Sequence, residues 1–406
     1  MASVERVFQL QGTCNSYDWG KTGRKSLAAT LCENTPGTDF KIDDDKPYSE
    51  MWFGDYPDFP GRVLATGELL ADYLKKDKQT LLGNKVINEL DGQLPFLPKI
   101  LSISKALPLQ IHPNKDLAAK LHKEDPENFT DPNHKPEIAV ALSRFEVFAG
   151  WKPLSEITPA FNLPALRRFI PDGVTSWSDE TLRQVTRRIL SAPEDEIKSA
   201  QDALAAVSRE DLDQNAYVLD LLPRLREQYG PRDPGTIVAL LCMNFLVLEP
   251  GEALFVPADG IHAYLSGDIV ECMARSNNVL NTGFCPAADR DSIELFARAL
   301  TFAPHSREDV ALPRKPSARG RNGKTDVFKP PISEFDMLRV GLGEGEEEVI
   351  AAGEGPGVAI VTSGEGKLEA DGKTFDVKAG YIFYASPGVD VKWTASKNLE
   401  VYIAVV

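Results

Sequence analysis

Apolar residues in this chain follow two patterns. Short runs rich in branched and aromatic residues, closed by glycine or proline, fill both ends of the sequence, and helical spacing dominates one block between them. The longest early run, Leu94-Pro-Phe-Leu-Pro-Lys-Ile-Leu-Ser-Ile-Ser-Lys-Ala-Leu-Pro-Leu-Gln-Ile-His-Pro, predicts a buried strand or a pair of strands. Side chains two apart on a strand share a face, so Gln110 and His112 point one way and Leu109 and Ile111 the other. Val7-Phe8-Gln9-Leu10 predicts a further short strand. Leu69, Leu70, Tyr73 and Leu74 recur at helical spacing, and Asn114 to His122 predicts a short helix. Leu154 to about Gln228 is helical in pattern. Ser178 begins a capped amphipathic stretch, and Pro193 stands where a helix can begin. Ile237 to Leu248 reads as a buried helix-to-strand segment, and residues 332–406 as strand after strand with glycine turns.

These elements predict a mainly β fold with an inserted helical domain. Residues 1–153 and 246–305 make one discontinuous core domain, and 154–245 the insertion. Residues 306–331, basic and rich in proline and glycine, read as a solvated linker loop. Residues 332–406 read as a jelly-roll-like β domain. The stretch Pro250-Gly-Glu-Ala-Leu-Phe-Val-Pro257-Ala-Asp-Gly-Ile-His262-Ala-Tyr264 reads like one corner of a cupin-like double-stranded β-barrel. Ala379-Gly380-Tyr-Ile-Phe-Tyr-Ala-Ser-Pro387 looks like a degenerate copy. Where the first copy offers His262, the same offset gives Lys392, which is no ligand. The expectation is two related barrels, with metal in the first alone.

Composition narrows the partners. With 406 residues, 42% of them apolar, the chain can build more than one core. A formal charge of -15 disfavours nucleic acid and anionic membranes. Five scattered cysteines without zinc-finger or redox spacing predict reduced thiols in a cytoplasmic protein. The N-terminus lacks a signal-peptide core, and no run is long enough to span a bilayer.

The candidate chemistry is a mixed N/O set. His134-Lys135-Pro136-Glu137 opens a second strand on a carboxylate. Together with Gln110, His112 and the distant His262, that carboxylate suits zinc or a similar divalent ion. Glu50, inside the aromatic Tyr48-Ser-Glu-Met-Trp-Phe-Gly, reads by itself as a hydrogen-bonded structural residue.

Several motifs recur in order: that aromatic segment, Leu94-Pro-Phe-Leu, Lys105-Ala-Leu-x-x-Gln-x-His-Pro-Asn-Lys, His134-Lys-Pro-Glu, and Pro257-Ala-x-Gly-Ile-His-Ala-Tyr-Leu-Ser-Gly-Asp-Ile-Val-Glu-Cys-Met-Ala. In these the chain resembles the type I mannose-6-phosphate isomerases over nearly its whole length. The resemblance implies a zinc-dependent aldose–ketose isomerase with a cupin-type core, acting on a small sugar or sugar phosphate. Gln110, His112, Glu137 and His262 match the ligands of one Zn2+. Trp19, Glu50, Lys99, Lys135, Tyr264 and Glu271 fall on positions lining the family's sugar site. Glu271 and Lys135 are the candidates for general base, unranked.

One motif departs from the family. Its Ser-Asp-Asn-Val-x-Arg-Ala-Gly-x-Thr-Pro-Lys is here Ser276-Asn-Asn-Val-Leu-Asn281-Thr-Gly-Phe-Cys-Pro-Ala287, and its Lys-Ala-Leu-Ser is Lys105-Ala-Leu-Pro108. The resemblance makes the missing arginine catalytic or phosphate-facing and places the lysine and serine at the phosphate end of the pocket, so Asn281, at a catalytic position, together with Ala287 and Pro108 removes groups that would hold a phosphorylated sugar. Two readings stay open. Other cations could serve instead, Arg275 first, then Arg290 or Lys105. Otherwise the chain is a paralogue with a changed, unphosphorylated substrate, or a metal-stabilised binding protein without turnover.

Overall fold

The computed structural model describes residues 4–212 and 215–406. Its organising element is the thirteen-residue strand His262–Ala274, buried along almost its whole length. It pairs antiparallel with Phe96–Ile103 from Gly267↔Ile103 to Ala274↔Phe96, with Glu137–Ala141, with Phe145–Trp151, and through His262↔Gln110 with Leu109–Ile111. These strands belong to one ten-stranded sheet that forms the cupin-type core. Gly267 breaks the strand's alternation. Its φ is 126°, and a Cβ there would lie 2.7 Å from the Arg144 carbonyl oxygen. The pairing with Phe145–Trp151 shifts register beside it. Residues of even number before the break and odd number after it therefore face one interior.

Helices dominate the chain between Leu154 and Cys242. Ser178 and Thr181 exchange capping bonds at the start of Asp179–Leu190, and Pro193 precedes Glu194–Ala205. Asp233 caps Pro234–Cys242, every residue of which is buried, and the chain passes directly into the strand Met243–Leu248. That strand pairs with Phe145–Trp151, so the return to the β core comes before residue 246.

Two expected boundaries differ more. The strand Val7–Gln11 is not part of the first barrel's sheet. It pairs with Ile382–Ala385 on one side and Arg62–Val63 on the other, inside an eight-stranded sheet made mostly of C-terminal strands. Residues 306–331 are not a loop alone. They hold the helix Arg307–Val310 and the strands Arg314–Pro316 and Thr325–Phe328, which add to the edge of that same sheet. A four-stranded sheet packs against it over a second apolar core that includes Val340, Val361, Trp393 and Val401.

Phe8 and Leu10 also share a core with Ile100 and Val270 of the first barrel and with Met337, Ile360 and Tyr402 of the C-terminal sheet. The two barrels are thus welded by one apolar layer, and the N-terminal strand runs through it. Leu10→Ala is expected to cost about 2–5 kcal/mol in urea unfolding. Tryptophan fluorescence and circular dichroism should move together in one transition; two separated transitions would show that the barrels fold independently.

Candidate metal centre

Two imidazoles and a carboxylate meet inside the first barrel. His112 follows the strand Leu109–Ile111, Glu137 opens Glu137–Ala141, and His262 opens the long central strand. All three are buried, and one ligand atom from each lies within 4.8 Å of the others. Glu137 Oε1 is 3.2 Å from His112 Nε2, and Oε2 is 3.5 Å from His262 Nε2.

The far side of each ring decides its protonation. His112 Nδ1 lies 2.7 Å from the Asn278 carbonyl oxygen, and His262 Nδ1 lies 3.0 Å from that of Gly260. A carbonyl can only accept, so each Nδ1 donates to it and each Nε2 is the ring atom left facing Glu137. Both Nε2 atoms are buried and make no hydrogen bond. Burial first, then the charge on Lys135, lowers His112 to about 4 and keeps it neutral. Burial opposes the charge on Glu137, but the nearby Lys135 ammonium holds its carboxyl well below the usual range. Two buried imidazoles whose Nε2 atoms lack a hydrogen-bond partner, around an ionised carboxylate, fit a divalent metal with N/O ligands. Gln110 sits half-buried on the strand that leads to His112, in register with His262 and Asn281.

Charged groups continue inward from this centre. Lys135 Nζ is 3.3 Å from Glu137 Oε1, and the Tyr264 hydroxyl donates to Glu137 Oε2 at 3.2 Å. Lys99 Nζ lies 3.6 Å from Glu50 and 3.8 Å from Glu271, and 3.9 Å from the centroid of the Trp52 ring. Glu50 Oε2 accepts from Asn15 Nδ2 and Trp52 Nε1. Burial, then the charge of Glu137, pushes Glu271 up to about 8. Trp19, half-buried and stacked on Tyr17, stands at the outer edge.

A cavity of about 590 Å³ lies beside the centre, lined in part by Trp19, Lys105, Pro108, Asn281, Ala287 and Arg290. Arg275, read from sequence as a substrate-binding cation, is not there. The central strand ends at Ala274, and the next side chain turns to an ion pair with buried Asp55, over the Tyr56 ring, in a different cavity. The sequence reading also missed Asn278 and Gly260, which act through backbone oxygens that no side-chain type reveals. The glycine two places before His262 was the one available signal.

Fold and site together define a metal-dependent enzyme of cupin type. The model of the phosphomannose isomerase type I catalytic domain matches residues 7–154. The mannose-6-phosphate isomerase of Candida glabrata is 35% identical over 99% of both chains. That of Aspergillus fumigatus is 34% identical over 95% of this chain and 92% of its own. The mannose 6-phosphate isomerase of Salmonella typhimurium, in a structure bound to substrate (f6p) and a zinc atom, superposes with a TM-score of 0.80 at 25% identity, over 99% of both chains. The chain belongs to the type I phosphomannose isomerase family. Among the described residues, no helix is long and apolar enough to cross a membrane.

His112→Ala removes one lone pair from the centre. Zinc per chain, measured by atomic emission after dialysis, is expected to fall about tenfold or more while the circular dichroism spectrum is retained. Unchanged zinc content would refute the ligand set.

Proposed function

We propose that this chain is a zinc-dependent isomerase that interconverts mannose 6-phosphate and fructose 6-phosphate, with one Zn2+ held by Gln110, His112, Glu137 and His262. The reading is carried by the two unpartnered Nε2 atoms around Glu137 in a chamber that also holds acids and ammonium groups. Membership of the family supports the substrate.

The reaction moves a proton between C1 and C2 through an enediol. Zinc, when bound, supplies Lewis-acid polarisation of the sugar's carbonyl and hydroxyl oxygens. The protein's own groups do the rest. The ionised form of Glu271, favoured as pH rises toward about 8, takes the carbon-bound proton at one carboxylate oxygen and returns it to the neighbouring carbon. Its partner Lys99 holds it from one side. Lys135, paired with Glu137, donates toward the sugar oxygen whose negative charge grows as the proton leaves. Lys99 is fixed in turn by Glu50, which Asn15 and Trp52 orient. The walls are buried, so water is kept from the enediol and the proton is not lost to solvent.

The direct test is a coupled assay of fructose 6-phosphate formation from mannose 6-phosphate by the zinc-loaded chain. Absence of turnover at full zinc occupancy would reject the reading, and turnover of unphosphorylated mannose alone would select a changed substrate. Glu271→Gln keeps the size and loses the base. It is expected to lower kcat by about 100- to 10,000-fold with zinc content unchanged. A loss under about threefold would assign the base elsewhere.

A further inference from the structure

A phosphorylated sugar carries a dianion that needs cations within reach of the metal centre. The cavity beside that centre contains Asn281, Ala287 and Pro108 on its walls, none of them charged. Its three cations are Lys105, Arg232 and Arg290, and each already faces an acid. Those acids differ in how firmly they hold.

Arg232 is exposed and engaged outward by Asp195 at 3.1 Å and Glu194 at 3.8 Å, which puts it on the rim. Arg290 is clamped. Its Nη2 donates to Asp233 Oδ2 at 3.0 Å and to the Cys285 carbonyl at 3.3 Å. Asp233 is buried, caps the helix Pro234–Cys242 and takes the Phe284 N–H, so it cannot leave. This fixes the guanidinium in place with its Nε buried and unpartnered. Lys105 is held loosely. Its Nζ is 3.1 Å from Asp18, whose side chain is 81% exposed, and 4.6 Å from the centroid of the Tyr229 ring. An exposed ion pair of this kind is worth little and is readily exchanged. Both cations stand on segments tied to the metal centre. Lys105 precedes the strand carrying Gln110, and Asp291 beside Arg290 accepts the Asn281 N–H at 2.7 Å.

Resting on the isomerase reading above, we infer that Lys105 and Arg290 form this chain's phosphoryl subsite. Lys105 exchanges Asp18 for the phosphoryl group, while Arg290 lends its fixed positive charge to the cavity wall. Tyr229 and Asp233 come from the helical insertion and its exit, so the insertion sets the substrate's length and charge. Asp18 acts as a stand-in anion that the substrate must displace.

The test uses the full zinc-loaded chain, with mannose 6-phosphate as substrate and inorganic phosphate as a separate probe. Lys105→Met is expected to raise KM for mannose 6-phosphate about tenfold or more, with kcat within about twofold, because binding common to ground and transition states is lost. It should weaken inorganic phosphate by a similar factor, read as competitive inhibition and as loss of thermal stabilisation. Lys105→Arg should restore most of the affinity, and Asp18→Asn should lower KM by removing the competitor. Wild-type turnover with KM and phosphate affinity unchanged in Lys105→Met would overturn the subsite and leave the isomerase reading standing. Phosphate binding that depends on Lys105 in a chain that does not isomerise would do the reverse.

Discussion

A carboxylate buried against two imidazoles is the constraint around which the molecule is built. Taking an ion out of water costs several kcal/mol even after relaxation, and the cost is recovered only by close partners of opposite charge. Here the problem is multiplied. Glu50, Glu137 and Glu271 share a dry interior with two ammonium groups, Lys99 and Lys135, all nearly inaccessible to solvent. Burial, then the charge of Glu137, pushes Glu271 up to about 8 and toward its neutral form, so negative charge concentrates at Glu137, where the unpartnered imidazole nitrogens also point. A divalent cation resolves both problems at one place. It would balance the buried carboxylate and give the two imidazole nitrogens a partner.

Meeting that constraint requires backbone precision that regular strands do not supply. His262 and Tyr264 have one parity along the central strand and Glu271 the other, so an unbroken strand would send Glu271 to the opposite face. The break at Gly267, with its positive φ, brings them into one chamber. The chamber is then held from outside. The N-terminal strand and the C-terminal sheet close over Ile100 and Val270, whose backbones carry Lys99 and Glu271 as neighbours. The second barrel therefore acts as a clamp on the first.

Much of this was legible in the sequence, because its rules are local. Alternation placed Gln110 and His112 on one face, helical spacing marked the insertion, and Ser178 announced its own cap. What was not legible depends on partners far along the chain. Val7-Phe8-Gln9-Leu10 declares itself a strand but not which sheet it joins, since backbone hydrogen bonds carry no address. Residues 306–331 looked solvated because their charges dominate the composition. Yet Thr325 and Phe328 are buried, and Glu348 accepts the N–H groups of Asn322 and Lys324 and so folds the segment onto the sheet. Arg275 stood near the missing arginine in sequence, but the strand ended one residue earlier and Asp55 claimed it. Proximity in sequence is a poor guide once a strand has stopped.

The segment Ser276 to Gly283 shows how the chain could diverge at one end of its pocket without losing the other. Its backbone is pinned at several points. Asn278 offers its carbonyl to His112, and its side chain is held by Asp131 and Asn133. Leu280 and Asn281 pair with Ile111 and Gln110. These contacts use main-chain atoms or the retained Asn278, so none depends on which side chain occupies position 281 or 287. A change from arginine to asparagine there alters the charge of the cavity while leaving the imidazole beneath it oriented. The backbone of this short loop orients the His112 ring while its side chain at 281 faces the neighbouring cavity, so the cavity wall can change without disturbing the ring.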